Sequence, residues 1–204
     1  MNTRIKDFPA RGEMNKKERK ALAKRMFDEL RDMSRDGPGI SRATYGPGET
    51  AAMEYCAGVA REEGLTVRFD AAANLVVELP GKDPGAPCIV CGSHLDSVPQ
   101  GGNYDGAAGV VAGLLAVIRM KRAGIVPERT IRVMALRGEE SAWFGLCYLG
   151  SSSLFGGLAA DDLKRPHRSG KGNLGDFMKE CGADVDRISA GEKLIGDDEI
   201  GAYL

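Results

Sequence analysis

Between Gly92 and Gly106 the chain reads GSHLDSVPQGGNYDG, a stretch holding one of its two histidines, two aspartates and four glycines. An adjacent acidic pair, Glu139 and Glu140, follows in RGEES. Imidazole and carboxylate together form a ligand set for zinc, and one that manganese or cobalt can also use. A single carboxylate can bridge two such ions roughly 3.5–4 Å apart, and the ions then activate a shared water. His94 and Asp96 are two residues apart, so in extended backbone they share a face, where Asp96 can accept the imidazole N–H and fix its tautomer. Of Glu139 and Glu140, one can ligate while the other takes and returns the proton of the water. His94, Asp96, Asp105, Glu139 and Glu140 therefore match a two-metal hydrolase.

Each residue also has a plainer reading. A histidine at a strand end is more often structural than a ligand. Asp105, ahead of Gly106 and an apolar run, reads as a helix N-cap. Glu139 and Glu140 read as a solvated loop pair. The elements that must carry these residues tip the balance. Leu22, Met26, Leu30 and Met33 recur at helical spacing among charges, which predicts an amphipathic helix from Lys16 to about Asp36. GPGISRATYGPG breaks it, and a second helix is expected from about Glu49 to Glu63, stopped by Gly64. LTVRFD and NLVVELPG alternate apolar and polar residues as two strands, and Cys88–His94 makes a third. A helix from Gly106 to about Ala123 and a strand in RTIRVMALRG complete a strand–helix–strand order, with Ile131, Val133 and Ala135 alternating with Arg132 and Met134. That order implies parallel strands joined by a right-handed crossover, with a ligand crevice at their carboxyl ends. His94 and Glu139 each follow such a strand, and Asp105 starts the helix between them, so the three sites converge. The expected fold class is α/β, a mixed, largely parallel sheet flanked by helices. Lys164–Gly175 is expected to be a polar surface loop, and its His167 a surface residue.

Composition sets the outer bounds. At 204 residues one domain is the default. A formal net charge of -1 draws the protein electrostatically to neither nucleic acid nor an anionic membrane, so charge points to no partner. MNTRIKDFPARGEMNKKERK is charged throughout and carries no apolar core of a secretory signal, so a cytoplasmic location is expected. The apolar run Gly106–Ile118 is shorter than the ~20 residues of a membrane-spanning helix and reads as a buried core helix. Five cysteines without framework spacing suit a reducing compartment. Cys88 and Cys91 form CIVC, but in a strand residues three apart point to opposite faces, so neither a metal nor a disulfide is expected there. Cys56, Cys147 and Cys181 are expected as small core residues.

GSHLDSVPQGGNYDGAAGVVAGL followed by RGEESAWFG resembles the aminoacylase and carboxypeptidase-G group of dinuclear zinc hydrolases, specifically its N-carbamoyl-amino-acid hydrolase and allantoate amidohydrolase branch. The likeness runs from about Phe27 to the end of the chain. It implies a phosphorylase/hydrolase-like zinc-exopeptidase catalytic domain, with 1–204 as its N-terminal portion. It implies that His94 binds the first metal, Asp105 bridges, Glu140 binds the second, Glu139 is the general base and Asp96 orients His94. The implied reaction is hydrolysis of a ureido or amide C–N bond in a small amino-acid-like substrate. The resemblance also implies segments after IGAYL: a strand ELHIEQG whose histidine completes the first metal site, a later histidine for the second, and a lid that supplies substrate contacts and the homodimer interface. An open strand edge beside IGAYL is then an expected weakness, and docking of a separately encoded C-terminal half is the alternative. The reading from a different class is a catalytically inactive fragment acting as a binding module. A Ser93–His94–Asp96 triad fails because neighbours in a strand face opposite ways and no G-x-S-x-G is present. A nucleotide site in GGNYDGAAG lacks both G-x-G-x-x-G and a Walker lysine.

Overall fold

A computed structural model of the protein describes residues 12–204, so the leader reading of Met1–Arg11 falls outside the described residues. Helix α1 spans Lys16–Asp32. Asn15 caps it, accepting from the Lys17 and Glu18 amides while Glu18 accepts from Asn15 N–H at 2.8 Å. Its buried stripe is Leu22, Met26 and Leu30. The helix ends before Asp36 because Arg35–Asp36 (β1) and Gly39–Ile40 (β2) pair as a short antiparallel hairpin, leaving Met33 exposed past the helix end. Helix α2, Pro47–Glu62, opens on a proline in its first turn and stops two residues short of Gly64. Strands β3 (Thr66–Phe69), β4 (Leu75–Leu79) and β5 (Cys88–His94) follow. Then come α3 (Ala107–Arg122), β6 (Ile131–Leu136), α4 (Leu149–Leu154) and a 3-10 turn at Asp162–Lys164. The described chain closes with α5 (Leu174–Glu180), α6 (Val185–Ser189) and β7 (Ile200–Tyr203).

The main sheet has the order β3-β4-β6-β5-β7. It is mixed: β3–β4 and β4–β6 are antiparallel, whereas β6–β5 and β5–β7 are parallel. Helices cover both faces. Leu22, Met53, Val77, Val110, Leu114 and Val133 belong to one core, which joins α1, α2 and α3 to the sheet. Val76, Val90, Met134, Leu154, Leu174 and Ile188 belong to the other, which joins α4, α5 and α6 to the opposite face. Each fully buried aliphatic side chain contributes about 1.5–3 kcal/mol. Two covered faces explain why β4 is buried almost throughout rather than half-exposed, as the alternation in its sequence implied. Cys88 lies in the second core and Cys91 packs on the first, so the two thiols of CIVC face opposite sides of the sheet.

Three expectations need correction. Cys147 is exposed rather than in the core, and Cys181 is only partly buried, its thiol donating to the Tyr45 carbonyl at 3.1 Å. His167 is buried, not on the surface: its ring stacks on Trp143 and Phe177 and meets Phe144 edge-on. The loop around it is drawn inward by these rings and by Leu163, so Lys164–Gly175 is only in part a solvated loop. Strand β7 is one edge of the sheet, opposite β3, with Gly201, Ala202 and Tyr203 exposed. Among the described residues no helix is long and apolar enough to cross a membrane.

Candidate metal and active site

Parallel pairing of β5 with β6 sets His94 opposite Leu136, so both strands deliver their carboxyl ends to one rim of the sheet. His94 is the last residue of β5, and the turn after β6 presents Glu139 and Glu140 beside it. The start of α3 closes the third side. Gly106 has φ +63, and a Cβ there would lie 2.5 Å from His94 Cε1, so only glycine lets this backbone approach the imidazole.

His94 is buried, and its Nδ1 lies 3.1 Å from the Asp96 carbonyl oxygen and 3.2 Å from Asp96 Oδ1. In the neutral imidazole two acceptors on Nδ1 place the proton on that nitrogen and leave Nε2 a free lone pair. Nε2 faces Glu139 Oε2 at 3.7 Å and Asp105 Oδ1 at 3.9 Å. These gaps exceed hydrogen-bond length, and a lone pair facing carboxylate oxygens is a donor set that could hold a cation. One ligand atom from each of His94, Glu139 and Glu140 falls within 4.8 Å of the others. Burial pulls the His94 pKa down, but the hydrogen bond to Asp96 and the charges of Asp96 and Glu139 outweigh it and leave it above the ordinary value. Burial, followed by the negative charges of Asp105, Glu139 and Asp96, raises the Glu140 carboxyl against the pull of His94.

Asp96 is wholly buried and does more than orient His94. Its Oδ1 also accepts the Glu139 N–H at 3.1 Å, and its Oδ2 accepts the Glu140 N–H at 3.1 Å and the Thr44 hydroxyl at 2.6 Å. One carboxylate thus ties β5, the turn after β6 and the segment before α2 together. Asp105 stands at the rim with its side chain 65% exposed. Gly106 occupies the cap position of α3 with no side-chain cap bond, so the N-cap reading of Asp105 does not hold and its carboxylate is left toward His94. Beside the rim opens a mostly apolar cavity of about 890 Å³, reached by His94, Glu139, Met134, Tyr148, Phe155 and Tyr203.

The ligand atoms within 4.8 Å of one another come from His94, Glu139 and Glu140, while Asp105 approaches only His94, at 3.9 Å, and lies outside that group. Sequence reasoning missed the buried groups packed behind these residues, among them Thr44, Glu49, Arg137 and Trp143. Trp143 donates its indole N–H to the Ser97 carbonyl at 2.7 Å, fastening the Glu140 turn to the Asp96 loop. A buried acid such as Glu49 in the first turn of a helix reads in sequence as a partner of the helix dipole, so its tertiary role leaves no local signal.

Residues 74–167 match the model of Peptidase family M28. The chain is 37% identical over 158 residues to the N-carbamoyl-L-amino acid amidohydrolase of Geobacillus stearothermophilus, covering 78% of this chain and 38% of that protein. It is 37% identical over 119 residues to the allantoate amidohydrolase of Bacillus subtilis, covering 58% of this chain and 29% of that one. A crystal structure of a hydantoinase/carbamoylase family amidase from Burkholderia ambifaria superposes with a TM-score of 0.74 at 32% identity, over 94% of this chain and 45% of its own. The chain therefore spans less than half the length of the relatives it matches.

Proposed function

Because the chain belongs to the amidohydrolase family that includes the N-carbamoyl-L-amino-acid and allantoate enzymes, acting on C–N bonds, we propose that it carries the metal-binding half of such an active site. In this reading His94 and Asp105 hold a first divalent ion, Asp105 and Glu140 a second, and zinc is the natural occupant of that donor set, with manganese or cobalt as substitutes. The observation that carries the proposal is the imidazole itself: Nδ1 held by Asp96, Nε2 turned to the Glu139 and Asp105 carboxylates at 3.7 and 3.9 Å. Bound ions supply Lewis acidity that polarises a carbonyl and acidifies a water. Asp96 keeps the imidazole in the ligating tautomer. Glu139 takes the proton of the attacking water and returns it to the departing nitrogen of an N-carbamoyl amino acid or allantoate.

These residues give each ion two protein ligands, whereas catalytic zinc usually has three. The 204 residues alone are accordingly expected to bind metal weakly and turn nothing over, and a complementary C-terminal segment to restore both. The test is calorimetric titration of Co²⁺ into the chain and into Asp105→Ala and Glu139→Gln. Binding should be lost in the first variant and kept in the second, whose complemented form should turn over about 10²–10⁴-fold more slowly. Robust metal-dependent hydrolysis by the isolated chain, or loss of metal in Glu139→Gln with Glu140→Gln still loaded, would overturn the assignment.

A further inference from the structure

Glu49 lies in the first turn of α2, is 0% exposed and takes no part in the chemistry described above. Its two oxygens are nevertheless fully engaged. Oε2 accepts the Tyr45 N–H at 2.7 Å and the Arg137 guanidinium at 2.8 Å, and Oε1 accepts the Gly138 N–H at 3.0 Å. Arg137 is buried as well: its guanidinium also donates to the Ala73 carbonyl at 2.8 Å and the Thr50 hydroxyl at 3.1 Å, with the Tyr45 ring 5.5 Å from its Cζ, while its backbone N–H donates to Asn74 Oδ1 at 2.8 Å and its carbonyl accepts from the Gly150 N–H at 2.8 Å. Gly138 has φ +63, and a Cβ there would sit 2.8 Å from Thr44 Cγ2, so the turn is pressed against the same short segment that holds Asp96.

We propose that Glu49 is a positioning residue for the metal site: its buried carboxylate clamps Arg137 and Gly138 and thereby sets the two residues that follow, Glu139 and Glu140, against His94. The need for such a clamp is electrostatic. Glu139, Glu140, Asp105 and Asp96 crowd one histidine, and their mutual repulsion opposes holding the turn against it. Two amide bonds to Asp96 hold the turn from the site side, and Glu49 holds it from behind. A carboxylate suits the position because all the groups that converge on it are donors. Gln presents an NH₂ to one of those N–H groups.

The inference rests on the metal-site reading, and its test separates the two. Burial raises the Glu49 carboxyl to about 7 against the pull of Arg137, so the measurements belong at about pH 8.5, where it is ionised. Glu49→Gln in the full chain is compared with wild type by amide hydrogen exchange without metal and by Co²⁺ titration. The Gly138, Glu139 and Glu140 amides should exchange about tenfold faster while amides of α3 stay unchanged, and Co²⁺ affinity should fall on the order of tenfold. Should Glu49→Gln fail to fold, Glu49→Asp keeps the charge but withdraws it from Gly138, and the same local loosening is expected. Unchanged exchange in the turn, or a rise spread evenly over the sheet and helices, overturns the clamp. If wild type itself takes up no Co²⁺, the metal reading fails, and the exchange comparison still decides the role of Glu49.

Discussion

Replacing Asp96 by Asn exchanges one carboxylate oxygen for a group that can only donate, at a point where four donors converge. Oδ1 accepts from His94 Nδ1 and the Glu139 N–H, and Oδ2 from the Glu140 N–H and the Thr44 hydroxyl. The Thr44 hydroxyl can rotate and accept, so the amide will sit at the Oδ2 side, where one conflict remains: its NH₂ against the Glu140 N–H. The other orientation sets it against both His94 and Glu139. The best arrangement thus strands one partly buried N–H and weakens three bonds that were made to a charge, at a cost of about 1–3 kcal/mol. For a domain of this length that lowers Tm by roughly 2–12 °C. The Glu140 amide is the one released, so the metal-site turn loosens and Co²⁺ affinity should fall about 10–100-fold. Differential scanning fluorimetry reads the first effect and calorimetry the second. Thr44→Val removes the hydroxyl that the rotation argument makes the acceptor of the new NH₂, so it should lower Tm further in the double variant, and no added loss would count against the rotation. An Asp96→Asn protein with unaltered Tm and a Co²⁺ affinity within about twofold of wild type refutes the reasoning.

Two further outcomes follow from the fold. Cys88→Val with Cys91→Ala should leave bound zinc unchanged by elemental analysis, because the thiols lie on opposite faces of the sheet; loss of a zinc would place a ligand there. His167 has its pKa lowered by burial and by Arg168. Below its ordinary 6.5 the unfolded chain takes up a proton that the folded chain resists, so this residue's share of stability is present above that pH and is lost on acidification. His167→Phe should therefore flatten the fall in Tm between about pH 7.5 and about pH 5, and an equally steep fall in the variant would count against it.

The sequence was most legible where local pattern and tertiary role coincide. The strand at Cys88–His94 and the helix and strand after it are bounded by apolar runs and glycines, and the structure places them as β5, α3 and β6 within a residue or two. Convergence of His94, Asp105 and Glu139 followed from that order alone. What escaped depends on distant partners. His167 looks solvated among arginine, serine and lysine, and is buried only because Trp143 and Phe177 flank it in space. Arg137 and Glu49 look like surface charges, and 88 residues separate them in the chain. The β1–β2 hairpin is too short for its period to register against the helix that runs into it.

The parallel register that sets His94 opposite Leu136 has a consequence for how the protein comes to be competent. Because both faces of β5 and β6 are covered, a slip of one residue would turn Val90, Val133 and Met134 toward the wrong cores and carry His94 out of line with the Glu139 turn. Errors in pairing are therefore penalised twice, once in packing and once in the alignment of the strand ends. A chain that has not reached its native alignment does not bring the His94 imidazole to the Glu139 and Glu140 carboxylates, so that cluster is itself a product of the completed parallel pairing.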